Sequence, residues 1–202
     1  MSPAPADPHP PAARGDTLSA QWPEDFARQA LGLAMRLLDR AEQRQRPDEM
    51  SLALTQVARC LKALTAFGPA ETYLRQALRW AAMLPAADAR VDLLCELAEV
   101  ACAAAEAPPA DDQDHIGVRR AALERARDHA YEAAAQAAQA SDPHWEVTVL
   151  LRVSDVLDRC GDHDDAAQMQ CRALTLIGRQ QPHAGGDGGT DALHALGSQR
   201  LM

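Results

Sequence analysis

Between Trp22 and Arg179 the apolar positions recur every three or four residues, the spacing that gathers them on one face of an α-helix. The stretch WPEDFARQALGLAMRLLDRAEQ, residues 22–43, places Pro23 at a first helical position, with Glu24 and Asp25 in the first turn, where carboxylates favour the helix dipole. It sets Phe26, Ala30, Leu33, Ala34, Leu37 and Ala41 along one side, and these are the expected buried face. Proline, glycine and capping residues then punctuate further helices near 48–66, 69–84, 87–107, 116–140, 144–160 and 163–179. Seven helices joined by short turns leave no length for a sheet, so the expected fold class is all-α. EAPPADDQDHIG, residues 106–117, carries two prolines and a cluster of acids, and is expected as a solvated loop inserted in a helical domain spanning 21–180.

Both ends lack the period. The opening MSPAPADPHPPAARGDTLSA, residues 1–20, is rich in proline and is expected as a disordered leader. Residues 181–202 combine Pro182 with Gly185, Gly186, Gly188 and Gly189, so ordering that backbone is costly, and a flexible tail is expected. Within it only Thr190 to Leu196 has the spacing of a short capping helix.

Composition sharpens the helical reading. Hydrophobic residues make up 47% of the 202 but aromatics only 3%, so the apolar mass is alanine, leucine and valine, suited to close helix packing. A net charge of -9 repels a phosphate backbone, and no block of Lys and Arg offsets it, so nucleic acid is not an expected ligand. No run reaches the roughly 18 to 20 apolar residues of a membrane span, and the N-terminus lacks a basic start followed by an apolar stretch. The expectation is a cytoplasmic protein with no membrane contact. Five cysteines, Cys60, Cys95, Cys102, Cys160 and Cys171, are scattered over helical segments, as reduced small core residues are and a disulfide framework is not.

An internal repeat joins two parts of the chain. Laid over LTQVARCLKALTAFGPAETYLRQALRWAA (54–82), the stretch LLRVSDVLDRCGDHDDAAQMQCRALTLIG (150–178) matches Leu54 with Leu150, Val57 with Val153, Ala58 with Ser154 and Leu61 with Leu157. The match continues through Ala70 with Ala166, Ala77 with Ala173 and Leu78 with Leu174. A third copy starts at VDLLCELAEVACAA, with Leu94, Leu97, Ala98 and Ala101 in the pattern, and resumes after the inserted loop with RRAALERARDHAYEAAAQAAQA.

On these residues the chain resembles the tetratricopeptide repeat (TPR), a helix hairpin of about 34 residues with small residues where its antiparallel helices touch. The resemblance covers residues 48–180 as three hairpins after one leading helix, with Gln170 in place of an aromatic and Thr65 in place of the turn glycine. It implies a right-handed superhelix of antiparallel hairpins, whose first helices line a concave groove that holds a segment of a partner protein. Carried over by register, the groove is expected to be lined by Thr55, Arg59 and Lys62 in the first hairpin and by Asp92, Cys95, Glu99 and Cys102 in the second. Leu151, Asp155 and Asp158 line it in the third. Only the first hairpin supplies cations, so the Lys, Arg and Asn clamp with which some family members take a C-terminal carboxylate is not expected.

The implied function is protein binding, as a scaffold, adaptor or chaperone, with a protein or peptide partner and no cofactor. Secretion-system chaperones are similar in size and layout and give the alternative within that class. Helix seven presents Leu174 and Ile177 on a face that either Thr190–Leu196 or a second subunit, in a homodimer, is expected to cover. Catalysis is not expected: there is no glycine-rich phosphate loop, nucleophile elbow or acid-base pair. The alternative from another class is a helical metal-dependent hydrolase with His163 and Asp164 as ligands, recruiting His129, His144 and Asp187. Cys160, His163 and Cys171 supply only three of the four ligands a structural zinc takes.

Overall fold

The computed structural model of the chain describes residues 17–108, 115–140 and 142–180, with side chains from Glu24 to Arg179. Seven α-helices follow in order: α1 (Thr17–Arg44), α2 (Pro47–Ala63), α3 (Phe67–Ala81), α4 (Asp88–Glu106), α5 (His115–Ala137), α6 (Pro143–Arg159) and α7 (His163–Gln180). There is no strand among the described residues, and the protein is all-α. None of these helices is long and apolar enough to cross a membrane. The expected leader before Thr17, the acidic stretch 109–114 and the tail with its capping segment 190–196 lie outside the described residues.

Local chemistry sets most of the boundaries. α2 and α6 each begin with proline, at Pro47 and Pro143, where the missing N–H costs nothing because the first turn has no acceptor for it. Asp142 caps α6 by accepting the His144 N–H at 2.9 Å. Several boundaries differ from the sequence expectation: α2 ends at Ala63, α3 runs from Phe67 to Ala81 and α5 ends at Ala137, each two or three residues from the expected place. α1 starts at Thr17, so Pro23 lies inside the helix and residues 17–20 are helical rather than part of a leader. α5 starts at His115, which takes 115–117 out of the expected loop.

The described chain divides into two compact units. The first holds α1, α2 and α3 with residues 103–119, the second residues 87–102 with the rest of α5, α6 and α7. Each unit contains one of the two matching hairpins, α2–α3 and α6–α7, and the backbone treats them alike. Thr65 and Gly161, equivalent in the repeat, both adopt a left-handed conformation, at φ of 57° and 86°. Ala66 N–H donates to Leu61 O and Asp162 N–H to Leu157 O, both at 2.9 Å, closing the same turn at the same register. Leu54, Val57, Ala58, Ala70 and Ala77 are buried in the first hairpin, as are Leu150, Val153, Ser154, Ala166 and Ala173 in the second. A bulkier side chain at the paired alanines would force the helix axes apart.

Two helices depart from the simple amphipathic reading, while α7 presents the apolar face expected of it. α1 buries Ala27, Ala34, Leu38 and Ala41, while Phe26 stays 75% and Leu33 60% exposed, so the contact face is rotated away from the expected one. α4 buries Val91, Leu93, Leu94, Cys95, Glu96, Leu97 and Ala98, nearly its whole circumference, as a helix that is apolar all round does. α7 leaves Leu174 67% and Ile177 40% exposed.

Candidate protein-binding surfaces

The expected groove residues separate by unit and by burial. In the first unit Arg59 is exposed and Lys62 half-buried on α2, but Thr55 is buried and its hydroxyl donates to Ser51 O at 2.7 Å. A threonine bonded back into its own helix offers a partner no hydroxyl, so Thr55 is removed from the surface. In the second unit Cys95 is 2% and Cys102 0% exposed, so both belong to the core and not to an open face. Burial pushes the Cys95 thiol up to about 12. The register of the TPR resemblance places them outward, whereas VDLLCELAEVACAA carries apolar residues on every side.

Asp92 and Glu99 are answered from within the unit. Arg152 on α6 donates through Nε and Nη2 to Glu99 Oε1 at 3.0 and 2.8 Å, and its Nη1 reaches Asp92 Oδ1 at 3.4 Å. Glu96, 8% exposed, lies 3.9 Å from the same guanidinium. This fork bridges α4 and α6, and its carboxylates serve the fold before any partner. Sequence reasoning missed Arg152, although a lone cation inside the apolar run VLLRVSDVL is the kind of residue that needs buried acids.

Of the third hairpin's residues, Leu151 is 50% exposed, and Asp155 and Asp158 are exposed on α6. Asp155 makes an i,i+4 pair with Arg159 at 3.5 Å, and Asp158 bonds His163 Nδ1 at 2.6 Å. These three are exposed on α6. Asp164 and His163 do not assemble the alternative metal site: no group of three or more His, Cys, Asp or Glu able to hold a metal exists among the described residues, and Asp187 lies outside them.

The α6–α7 turn is held by α5. Arg127 pairs through Nε with Asp162 and donates from Nη2 to Cys160 O at 2.7 Å, which places a cation at the C-terminal end of α6. Tyr131 donates its hydroxyl proton to Asp165 at the start of α7. That hydrogen bond first, then burial, pushes the Tyr131 phenol up to about 12. Arg172 ties α7 to the buried Glu146 of α6 at 2.5 Å. The Cys160 thiol contacts the Cys102 thiol, and that hydrogen bond and the nearby Arg127 charge lower its pKa against the opposing effect of burial. All five cysteines are free, and Cys171 is exposed rather than in the core.

Each unit also has a cleft. In the second, about 640 Å³ lies between the start of α4 and the end of α5, with polar walls that include Asp88, Arg90, Gln136 and Gln139. In the first, about 560 Å³ lies between α1, α2 and α3, over Leu38, Met50 and Leu54.

No family model matches the chain, and no curated protein matches it. Among solved structures, the DHF58 filament is similar over 77% of this chain and 84% of its own, at 23% identity and a TM-score of 0.44. BtubC (BKLC) from P. vanneervenii is similar over 84% of this chain and 82% of its own, at 17% identity and a TM-score of 0.35.

Proposed function

We propose that the chain is a protein-interaction module built of TPR-like hairpins, which holds a segment or surface of a partner protein against the outward face of a hairpin's first helix, α2 in the first unit or α6 in the second. It acts in the cytoplasm as a scaffold, adaptor or chaperone, without catalysis and without a cofactor. The supporting observation is that the two hairpins bury five matched positions, Leu54 with Leu150, Val57 with Val153, Ala58 with Ser154, Ala70 with Ala166 and Ala77 with Ala173, turn through the same left-handed position and expose Arg59 in one where the other exposes Asp155. A scaffold repeated with its outward residue changed in charge is one in which packing is held constant while the surface is free to specify a partner. Lys62 and Asp158 repeat that exchange one turn on, and Leu151 supplies exposed apolar area beside the acids.

The test is affinity capture from the native lysate followed by identification and kinetics. The wild type is expected to retain a discrete protein. Arg59→Glu with Lys62→Glu, and separately Asp155→Lys with Asp158→Lys, are expected to slow its association and change the salt dependence, with unchanged helical content. Equal rates and salt slopes for all three proteins would remove these faces from the binding role.

A further inference from the structure

The cleft of the first unit differs in construction from the faces just described. On α2, Met50 and Leu54 lie about 140 to 180° around the helix from Arg59, given 100° per residue, so the cleft opens on the other side of that helix. Its floor is apolar and buried, from Leu38 on α1 and Met50 and Leu54 on α2. Tyr73 on α3 forms part of one wall. Asp39 and Glu42, an i,i+3 pair on α1, form the rim, and no Lys, Arg or His lines the space.

Those two carboxylates stand apart from the rest of their unit. Glu24, Asp25, Asp48, Glu49 and Glu71 each pair with an arginine close by in sequence, at 2.7 to 3.1 Å. Asp39 and Glu42 are exposed and have no ion-pair partner among the described residues. Two acids with no ion-pair partner among the described residues give the cleft a negative edge beside an apolar base, and Thr72 and Gln76 add neutral polar groups to its lining. Its volume is about 560 Å³. Methionine at its base adapts to side chains of different shape.

We propose that this cleft docks a cationic amphipathic helix of a partner protein. Apolar side chains of that helix enter over Leu38, Met50 and Leu54, and lysines or arginines flanking its apolar stripe meet Asp39 and Glu42. A purely polar polycation would leave the floor unfilled, and an acidic helix would be repelled by the rim. The proposal rests on the cleft alone and stands or falls separately from the use of Arg59 and Asp155.

The probe is a fluorescein-labelled 14-residue helical peptide with leucines at three- and four-residue spacing and lysines elsewhere, titrated against the full chain at about 0.15 M salt. Saturable one-to-one binding is expected. Asp39→Lys with Glu42→Lys is expected to weaken it at least about tenfold, while Asp128→Lys with Glu132→Lys, an equal charge change on the exposed face of α5, leaves it within about twofold. Replacing the leucines of the peptide by serine is expected to cost at least about tenfold as well. Circular dichroism of both charge variants checks that the fold is retained. Equal losses in the two variants would mean attraction to the net charge of the chain, and no loss on reversing Asp39 and Glu42 would place the peptide elsewhere. Spermidine displacing the peptide at equal concentration, or the serine peptide binding as well as the parent, would mean a polycation site. Each of these results overturns the proposal.

Discussion

Thr65 and Gly161 occupy one position in two copies of the same turn, so their chemistry can be compared with the geometry held fixed. At φ of 57° the β-branched Thr65 crowds its own backbone, whereas Gly161 at 86° meets nothing a Cβ would touch. Gly161→Ala is therefore expected to cost about 1 to 2 kcal/mol through the backbone alone. Thr65→Gly is expected to gain about 0.5 to 1 kcal/mol, the relief of strain being partly offset by the entropy glycine adds to the unfolded chain. Urea midpoints of both variants check this, and a destabilised Thr65→Gly would mean that the threonine side chain holds the turn. Tyr131 gives a pH signature. Its folded pKa lies near 12 against 10 unfolded, so the folded state keeps the proton more tightly. The stability it contributes is complete below pH 10 and lost as pH rises from 10 to about 12. Tyr131→Phe is expected to remove that alkaline step from thermal melts taken across the interval, and an identical pH profile would rule the contact out.

At the scale of the helix, α1 separates two rules that agree elsewhere. The apolar residues of its sequence occupy a broad arc, and the structure buries only the side centred on Ala34 and Leu38, leaving Phe26 and Leu33 in solvent. Leu38→Ala is expected to cost about 2 to 4 kcal/mol, while Leu33→Ala, identical in chemistry, should stay within about 0.5 kcal/mol. Comparable melting shifts would restore the face the periodicity suggested. Periodicity identified all seven helices because apolar spacing, prolines and caps are local properties, and Ala70, Ala77, Ala166 and Ala173 were legible because a helix contact admits little else. The phase of α1 was not, since an arc wider than the contact leaves its centre undetermined. Nor was the interior position of Pro23, because a proline suits the first turn of a helix and its sequence signal is the same in both places. Arg59, Lys62, Leu151, Asp155 and Asp158 were legible as outward positions. Thr55, Cys95 and Cys102 were not, because small and weakly polar side chains fit either side of a helix surface.

Across the molecule the two units are held by different kinds of charge. In the first, Arg28, Arg44, Arg46 and Arg75 pair with acids on their own or the adjoining helix, and each arginine is more than half exposed, so each pair contributes little. In the second, Arg152, Arg127 and Arg172 join separate helices, and Arg152 stands among three carboxylates with only 28% of its side chain exposed. Arg152→Met would leave Asp92, Glu96 and Glu99 to repel one another beside the core, with Glu96 buried. The expected cost is about 2 to 4 kcal/mol, somewhat below that of unpairing a fully buried ion. Arg28→Ala should cost under about 0.5 kcal/mol. Hydrogen exchange followed by mass spectrometry is the suitable readout, because it locates the loss: peptides of α6 and of residues 88–102 should lose protection in Arg152→Met. If the cost arises from stranded charge rather than from lost packing, Glu96→Gln with Glu99→Gln in the Arg152→Met background should recover most of it, since neutral amides no longer repel. Failure of that rescue would mean that the aliphatic stem of Arg152, and not its charge, ties α4 to α6.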